Sequence, residues 1–305
     1  MTAFDPAGAR VATALERRYR RLLLAYPRAY RRAHGEELLD VLLEEAAPGR
    51  RLPVAREAWG LLTGGVRSRI AHQTTGSPWE DGLHLGITAV AAANLAALLP
   101  YAGELPVWTL LSALALLAIL RGWLRTALPL VLVTGVKAVG IASGWGFLDL
   151  TLVPIDPNPL GNRALFQDSD PLLVASGYAV VLAGLVVLAS LRRPVRARSW
   201  WWWAAVVPAA WAGPAWMPGG TEYPMSLSRL AVEAGALGLG LMACYWARDH
   251  RWALASGVYL VTFCGDLAWH AEWLTSQHLA YAGVLVLLAL SAAFAPLRQG
   301  RHCLD

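Results

Sequence analysis

From Leu83 onward the chain alternates long apolar stretches with short polar junctions, whereas the first 80 residues hold no apolar run of spanning length. A helix needs about 20 largely apolar residues to cross a bilayer. Eight stretches approach that length: Leu83 to Tyr101, Pro106 to Leu120, Thr126 to Phe147, Pro171 to Leu191, Trp200 to Met217, Leu227 to Ala247, Trp252 to Glu272 and His278 to Ala295. The second is short. The fifth contains Pro208 and Pro214, which lack an N–H and predict a kink.

The polar prefix reads differently. Residues 9–26, 28–46 and 53–72 are expected to form three short helices, divided by Pro27 and by Pro48-Gly49 with Pro53. In the first, Leu15, Tyr19, Leu22, Leu23 and Tyr26 recur at helical spacing with arginines opposite. The second places Tyr30, His34, Leu38, Val41 and Leu42 on one face and Glu36, Glu37, Asp40 and Glu44 around the rest. Opposite charge on the two helices favours an antiparallel hairpin packed on its apolar stripes. His34 has no cysteine or second histidine beside it in sequence and reads as a packing or partly exposed residue rather than a ligand.

Arginine sets the expected topology. With the N-terminus inside, alternate junctions carry Arg121 and Arg125, then Arg192, Arg193, Arg196 and Arg198, then Arg248 and Arg251, and finally Arg298 and Arg301. The opposite junctions, 102–105, 148–170, 218–226 and 274–277, carry only Arg163. The positive-inside bias then gives both termini to the cytoplasm. Tryptophans agree, since their rings favour headgroup depth: Trp108, Trp145, Trp216 and Trp273 fall near outer ends, and Trp123, Trp200 to Trp203, Trp246 and Trp252 near inner ends. Trp211 is the exception and is expected to pack within the bundle. The expected fold is therefore all-α: a polytopic bundle of about eight transmembrane helices over 79–301, a small N-terminal cytoplasmic helical domain over 1–78, and a cytoplasmic tail at 302–305. Short matches, "RTAL" at Arg125 with "RWAL" at Arg251 and "LRR" at Leu191 with "LRQ" at Leu297, fit two parallel halves of four spans each, but positive-inside arginine with abundant Ala and Leu explains them first.

Composition supports lipid as the solvent: of 305 residues, 56% are hydrophobic and 15% charged, and the mean hydropathy is +0.43. The net charge of +5 lies beside apolar helices, where anionic headgroups account for it before nucleic acid does. No signal peptide is expected, because the first apolar run follows a large basic segment. Cys244, Cys264 and Cys303 are odd in number and lack CxxC spacing, so neither a disulfide nor a zinc site is expected. Asp149, Asp156, Asp168, Ser169 and Asp170 cluster in the longest outer junction, where topology alone explains acidity. His84, His250, His278 and His302 flank spans separately. No metal or cofactor is implied, and no residue set names a reaction, so an enzyme is not expected.

The segment from Arg17 to Glu45 carries a Tyr26-Pro27 break, Tyr30 followed by Arg31, and Gly35-Glu36-Glu37 after His34 and leading into Leu38. It resembles the N-terminal prefix domain of some bacterial ABC-type permeases, and the helical domain of small membrane proteins that accompany PadR-type regulators. The resemblance covers roughly residues 10 to 70. It implies a bacterial inner-membrane protein whose prefix binds a cytoplasmic protein partner through Tyr26, Pro27, Tyr30, Arg31, Gly35, Glu36, Glu37 and Leu38. The apolar remainder departs from such permeases, since it has no large extracytoplasmic domain.

Within the spans, lipid should exclude Lys137, Glu233, Asp266 and His270. At 1.5 Å per residue, Lys137, Glu233 and Asp266 lie about 18, 21 and 22 Å from the inner ends of their helices. They share a layer. A lone charge there costs about 2.5–3.5 kcal/mol even on lenient scales, so Lys137 is expected to pair with Asp266 or Glu233. Asp266 and His270, four apart, share a helical face. Two readings follow. One is a regulatory, signalling or scaffold membrane protein with a partner-binding prefix; the other is a transporter using this layer for proton- or cation-linked transport.

Overall fold

A computed structural model describes residues 6–47, 50, 52–73, 76–145, 170–191, 195–212, 227–269 and 271–301. All regular structure among these residues is helical. The chain divides into two compact units, residues 1–75 and 76–305.

In the first unit, α1 (Pro6–Leu22) tightens into a 3-10 turn at Leu23–Ala25 and stops at Tyr26, whose extended backbone (ψ 153°) is what a following proline enforces. Pro27 then opens α2 (Arg28–Glu44), and α3 spans Ala55–Gln73. Leu15, Tyr19, Leu23, Leu39 and Leu61 form the core, with Leu22, Tyr26, Leu38, Leu42 and Leu43 against it. The face expected for α2 is rotated from the observed one. Leu39 is buried and Val41 is 49% exposed, because α2 must meet α1 and the 3-10 turn together. Arg20 on α1 bridges Glu36 on α2 at 3.1 Å. α3 crosses the 3-10 turn closely: a Cβ on Gly65 would stand 2.6 Å from that of Ala25. The Arg69 guanidinium donates to the carbonyls of Leu24 and Ala25. At the start of α3, Glu57 accepts the Val54 N–H at 3.3 Å, closing the helix entry in the manner of a capping box.

In the second unit, α4 (Pro78–Leu98) leads through a 3-10 turn at Leu99–Tyr101 to α5 (Pro106–Arg121), α6 (Leu124–Ala142) and α7 (Pro171–Ser190). A 3-10 segment (Trp200–Ala205) precedes α8 (Val206–Ala212), followed by α9 (Leu227–Ala247), α10 (Arg251–Trp269) and α11 (Ser276–Arg301). α4 is the hub, packed by α5, α7, α8 and α10 and buried along nearly its whole length. Small residues make that possible. Cβ atoms on Gly82 and Gly86 would stand 2.6 Å from the Arg251 carbonyl oxygen and 2.6 Å from the Val258 Cβ. The Gly82-x-x-x-Gly86 spacing is the one that lets helices approach in lipid, where association depends on van der Waals packing rather than on water exclusion. Gly135 likewise receives the Tyr178 ring of α7. Outward faces stay apolar, as at Leu110, Leu132, Val186, Leu239, Val261, Leu287 and Leu290.

Among the described residues five helices are long and apolar enough to cross a membrane: Pro78–Tyr101, Leu124–Ala142, Pro171–Ser190, Ser228–Ala247 and Ser276–Pro296. They fit an integral membrane protein. α5, with 16 residues, is a shorter apolar helix, and α10, which carries Arg251 and Asp266, is not one of the five. The fifth expected span departs most from expectation. Its described part is six residues of 3-10 helix and seven of α-helix, with Pro208 in the first turn of α8, where a missing N–H costs least. Trp211 does not pack within the bundle but is 66% exposed. Arg163, Arg192, Arg193, the acidic residues 149–169, Trp216, His270, the tail 302–305 and the side chain of Asp266 lie outside the described residues.

Candidate functional site

Three polar constellations stand out, two in the apolar unit and one in the N-terminal unit. The first gathers where α4 and α10 begin and α5 ends. Asp81, in the first turn of α4, divides its carboxylate between two guanidiniums: Oδ2 accepts from Arg251 Nη1 at 2.8 Å and Oδ1 from Arg198 Nη2 at 2.9 Å. Arg251 is 1% exposed and donates a further bond to Asp249 Oδ2 at 3.0 Å. Asp249 Oδ1 also accepts the Arg251 backbone N–H at 2.9 Å, tying the carboxylate to the start of α10. Two carboxylates thus face two guanidiniums, and the set is neutral. That balance is what a buried cluster requires, since an uncompensated charge there costs several kcal/mol.

His84 completes this set, one turn along α4 from Asp81. Arg198 Nε must donate, so His84 Nδ1 accepts its proton at 3.0 Å. The imidazole proton therefore sits on Nε2 and is donated to the Ile119 carbonyl of α5 at 2.8 Å. Arg198 Nη2 also donates to the Asp81 carbonyl at 2.8 Å, and its own backbone N–H to the Leu120 carbonyl at 2.7 Å. The segment before it passes so near the end of α5 that a Cβ at Gly122 (φ +75°) would stand 2.7 Å from the Val195 carbonyl oxygen. Burial lowers the Arg198 pKa and the nearby Asp81 charge opposes that, leaving a guanidinium that stays charged. Trp202 and Trp252 lie under the two guanidiniums at 5.6 and 5.8 Å.

The second constellation surrounds Glu233 of α9, which is 5% exposed. Tyr259 of α10 donates its hydroxyl to Oε1 at 2.7 Å, Tyr281 of α11 donates to Oε2, and Arg229, one turn earlier, lies 3.5 Å from Oε1. Lys137 of α6 is buried at 4% exposed, with its ammonium 5.5 Å from the Trp108 ring centroid. Asp266 falls in the last turn of α10. Of the four expected layer residues, the structure gives side-chain surroundings for Lys137 and Glu233.

The third lies in the N-terminal unit. Tyr26 and Tyr30 stack at the start of α2 with ring centroids 5.0 Å apart, and His34 meets the Tyr30 ring at a tilt, 5.1 Å between centroids. A cleft of about 420 Å³ opens between α2 and the end of α3, lined by Pro27, Tyr30, His34, Ser68 and His72 among others. Of the remaining prefix residues, Glu36 pairs with Arg20, Glu37 lies 3.6 Å from His34 Nδ1, Leu38 packs on the core, and a Cβ on Gly35 would stand 3.8 Å from that of Arg31, an ordinary contact. His72 was not singled out in the sequence; 38 positions from His34, it joins the cleft only through the fold. Beneath, Tyr19 donates to Glu57 at 2.5 Å, and burial followed by that carboxylate pushes the phenol up to about 12. The same bond leads the effects that hold Glu57 below the usual carboxylate range, with Arg50 at 3.2 Å assisting.

The arginine cluster escaped the sequence reading, in which Arg198 and Arg251 served only as leaflet markers and His84 as an isolated flank. The bonds that tie Asp81 and His84 to the two arginines join positions 114 to 170 apart. One signal was present: an aspartate, Asp81 or Asp249, beside an expected arginine-rich end. Arg229, just inside its span, finds its partner Glu233 one turn along the same helix. Compared with known proteins, the chain matches no protein-family model, no curated protein and no solved structure.

Proposed function

We propose that the chain is an inner-membrane protein of regulatory or scaffold class in a bacterial cell, with eight spans and both termini cytoplasmic, whose N-terminal unit takes a cytoplasmic protein partner in the α2–α3 cleft. One observation carries the reading. The cleft opens on Pro27, Tyr30 and His34, within the segment that resembles prefix domains, and its volume and mixed aromatic and polar lining suit an inserted side chain or short peptide. The apolar unit supports a holding role. Asp81, Asp249 and Glu233 are each engaged by guanidinium groups, and such internally matched networks fix helices in one arrangement. Transport through the buried layer needs a carboxylate that exchanges its proton or cation during a cycle. Glu233, gripped by two hydroxyls and an arginine, is poorly placed for that.

The test is a photo-cross-linking amino acid at Ala33, exposed at the cleft, in the full chain in its native membrane. A discrete protein adduct is expected, reduced at least tenfold by Tyr30→Ala and absent when the cross-linker sits at Leu52, which is 62% exposed and outside the cleft. No adduct at Ala33, or one indifferent to Tyr30→Ala, refutes the reading.

A further inference from the structure

We propose that α3 lies on the cytoplasmic leaflet through the stripe Trp59, Leu62 and Val66, and that its partner there is an anionic lipid surface. This rests on the membrane reading above. Successive residues of a helix turn by 100°, so positions 59, 62, 66 and 70 fall on one side. Trp59 is 70% exposed, Leu62 39% and Val66 42%, with Ile70 half-buried beside them. The opposite side, by contrast, is committed: Leu61 and Gly65 pack inward, and Ser68, Ala71 and His72 border the cleft.

Charge and size choose lipid over protein. Arg56 and Arg67 are exposed along one margin of the stripe, and the single acid of α3, Glu57, is turned inward to Tyr19 and Arg50. A tryptophan with short aliphatic neighbours and flanking arginines is the composition of a helix lying in the headgroup region. Three side chains offer on the order of 400 Å², below the roughly 800 Å² per partner of a stable protein interface. A surface already held nearby by the chain needs far less. α3 ends at Gln73 and the first apolar helix starts at Pro78, so only four residues join them, a reach of at most about 18 Å from Cα to Cα. Such a tether raises the effective concentration of lipid at the stripe.

The experiment uses the full chain carrying Cys244→Ala, Cys264→Ala and Cys303→Ala, in nanodiscs of zwitterionic lipid with and without a quarter of phosphatidylglycerol. Spin labels on Leu62→Cys and Val66→Cys are read by oxygen against nickel-chelate accessibility, with Ala71→Cys as the water-facing control and Leu287→Cys, 64% exposed on α11, as the lipid control. The expected result is oxygen-favoured accessibility at 62, 66 and 287 and nickel-favoured at 71. Arg56→Ser with Arg67→Ser is expected to lower the docked-to-free ratio at 66 on the order of tenfold in the anionic discs. Nickel-favoured labels at 62 and 66 with an oxygen-favoured 287 overturn the proposal and leave the membrane reading standing. Nickel-favoured labels at all sites overturn both. Labels at 62 and 66 shielded from both reagents report a protein contact and also overturn it.

Discussion

Replacing Asp81 with alanine removes a carboxylate shared by Arg198 and Arg251, whose side chains are 11% and 1% exposed. Breaking a fully buried pair by deleting one partner costs about 3–5 kcal/mol. Two features reduce that figure. Asp81 itself is 19% exposed, so water reaches part of the gap, and each arginine keeps another acceptor, Asp249 for Arg251 and His84 Nδ1 for Arg198. A cost of about 2–3 kcal/mol remains. For a chain of this size that corresponds to roughly 3–5 °C in Tm. Asp249→Ala leaves Asp81 in place and is expected to cost about half as much. The assay is thermal unfolding of the purified full chain in one detergent, followed by tryptophan fluorescence. In a double-mutant cycle, Asp81→Ala with Arg251→Ala should show a coupling of at least about 1 kcal/mol. A shift below 1 °C for Asp81→Ala, or a larger one for Asp249→Ala, would mean the shared carboxylate is not what holds α4 to α10.

Two further outcomes follow from the geometry. Gly86→Leu places a side chain where even a Cβ stands 2.6 Å from Val258, and overpacking of about 2–3 kcal/mol is expected, whereas Gly238→Leu, with open space around it, should change Tm by less than a degree. Equal effects at the two glycines, measured by the same melts, would remove close α4–α10 packing as the cause. In the N-terminal unit, Tyr19 ionises at about 12 when folded against an ordinary 10, so its contribution is complete below pH 10 and is lost as pH rises toward 12. Glu57 is lowered, so its contribution is present above its ordinary 4.5 and is lost as pH falls through the folded value. A 13Cζ titration of labelled Tyr19 in the full chain, assigned with Tyr19→Phe, should give a midpoint near 12; one near 10 would refute the Tyr19–Glu57 bond.

Helix positions were legible because their causes are local. Apolar runs bounded by Pro106, Pro171 and Gly122, the Tyr26-Pro27 stop, and the break before Pro53 each act within a turn or two of chain. The all-helical class and the long apolar helices follow from those signals. Where a stretch mixed proline with four consecutive tryptophans, as from Trp200, run length overstated the regular helix. The face of α2 was misjudged for another reason: Leu38, Leu39, Leu42 and Leu43 offer two overlapping stripes, and only contact with α1 chooses between them.

By itself, then, the sequence determined where helices run, which residues prefer lipid, and that an arginine-rich prefix precedes a long apolar body. Tertiary structure alone decided which charges meet. Asp81, His84, Arg198, Asp249 and Arg251 converge because Gly82 and Gly86 let α10 close onto α4, and because Gly122 lets the Arg198 segment lie on α5. Glu233 takes Tyr259 and Tyr281 because α9, α10 and α11 pack together. Hydropathy and helical period are properties of neighbours along the chain; a buried ion pair depends on crossing distances between helices, which no local pattern encodes.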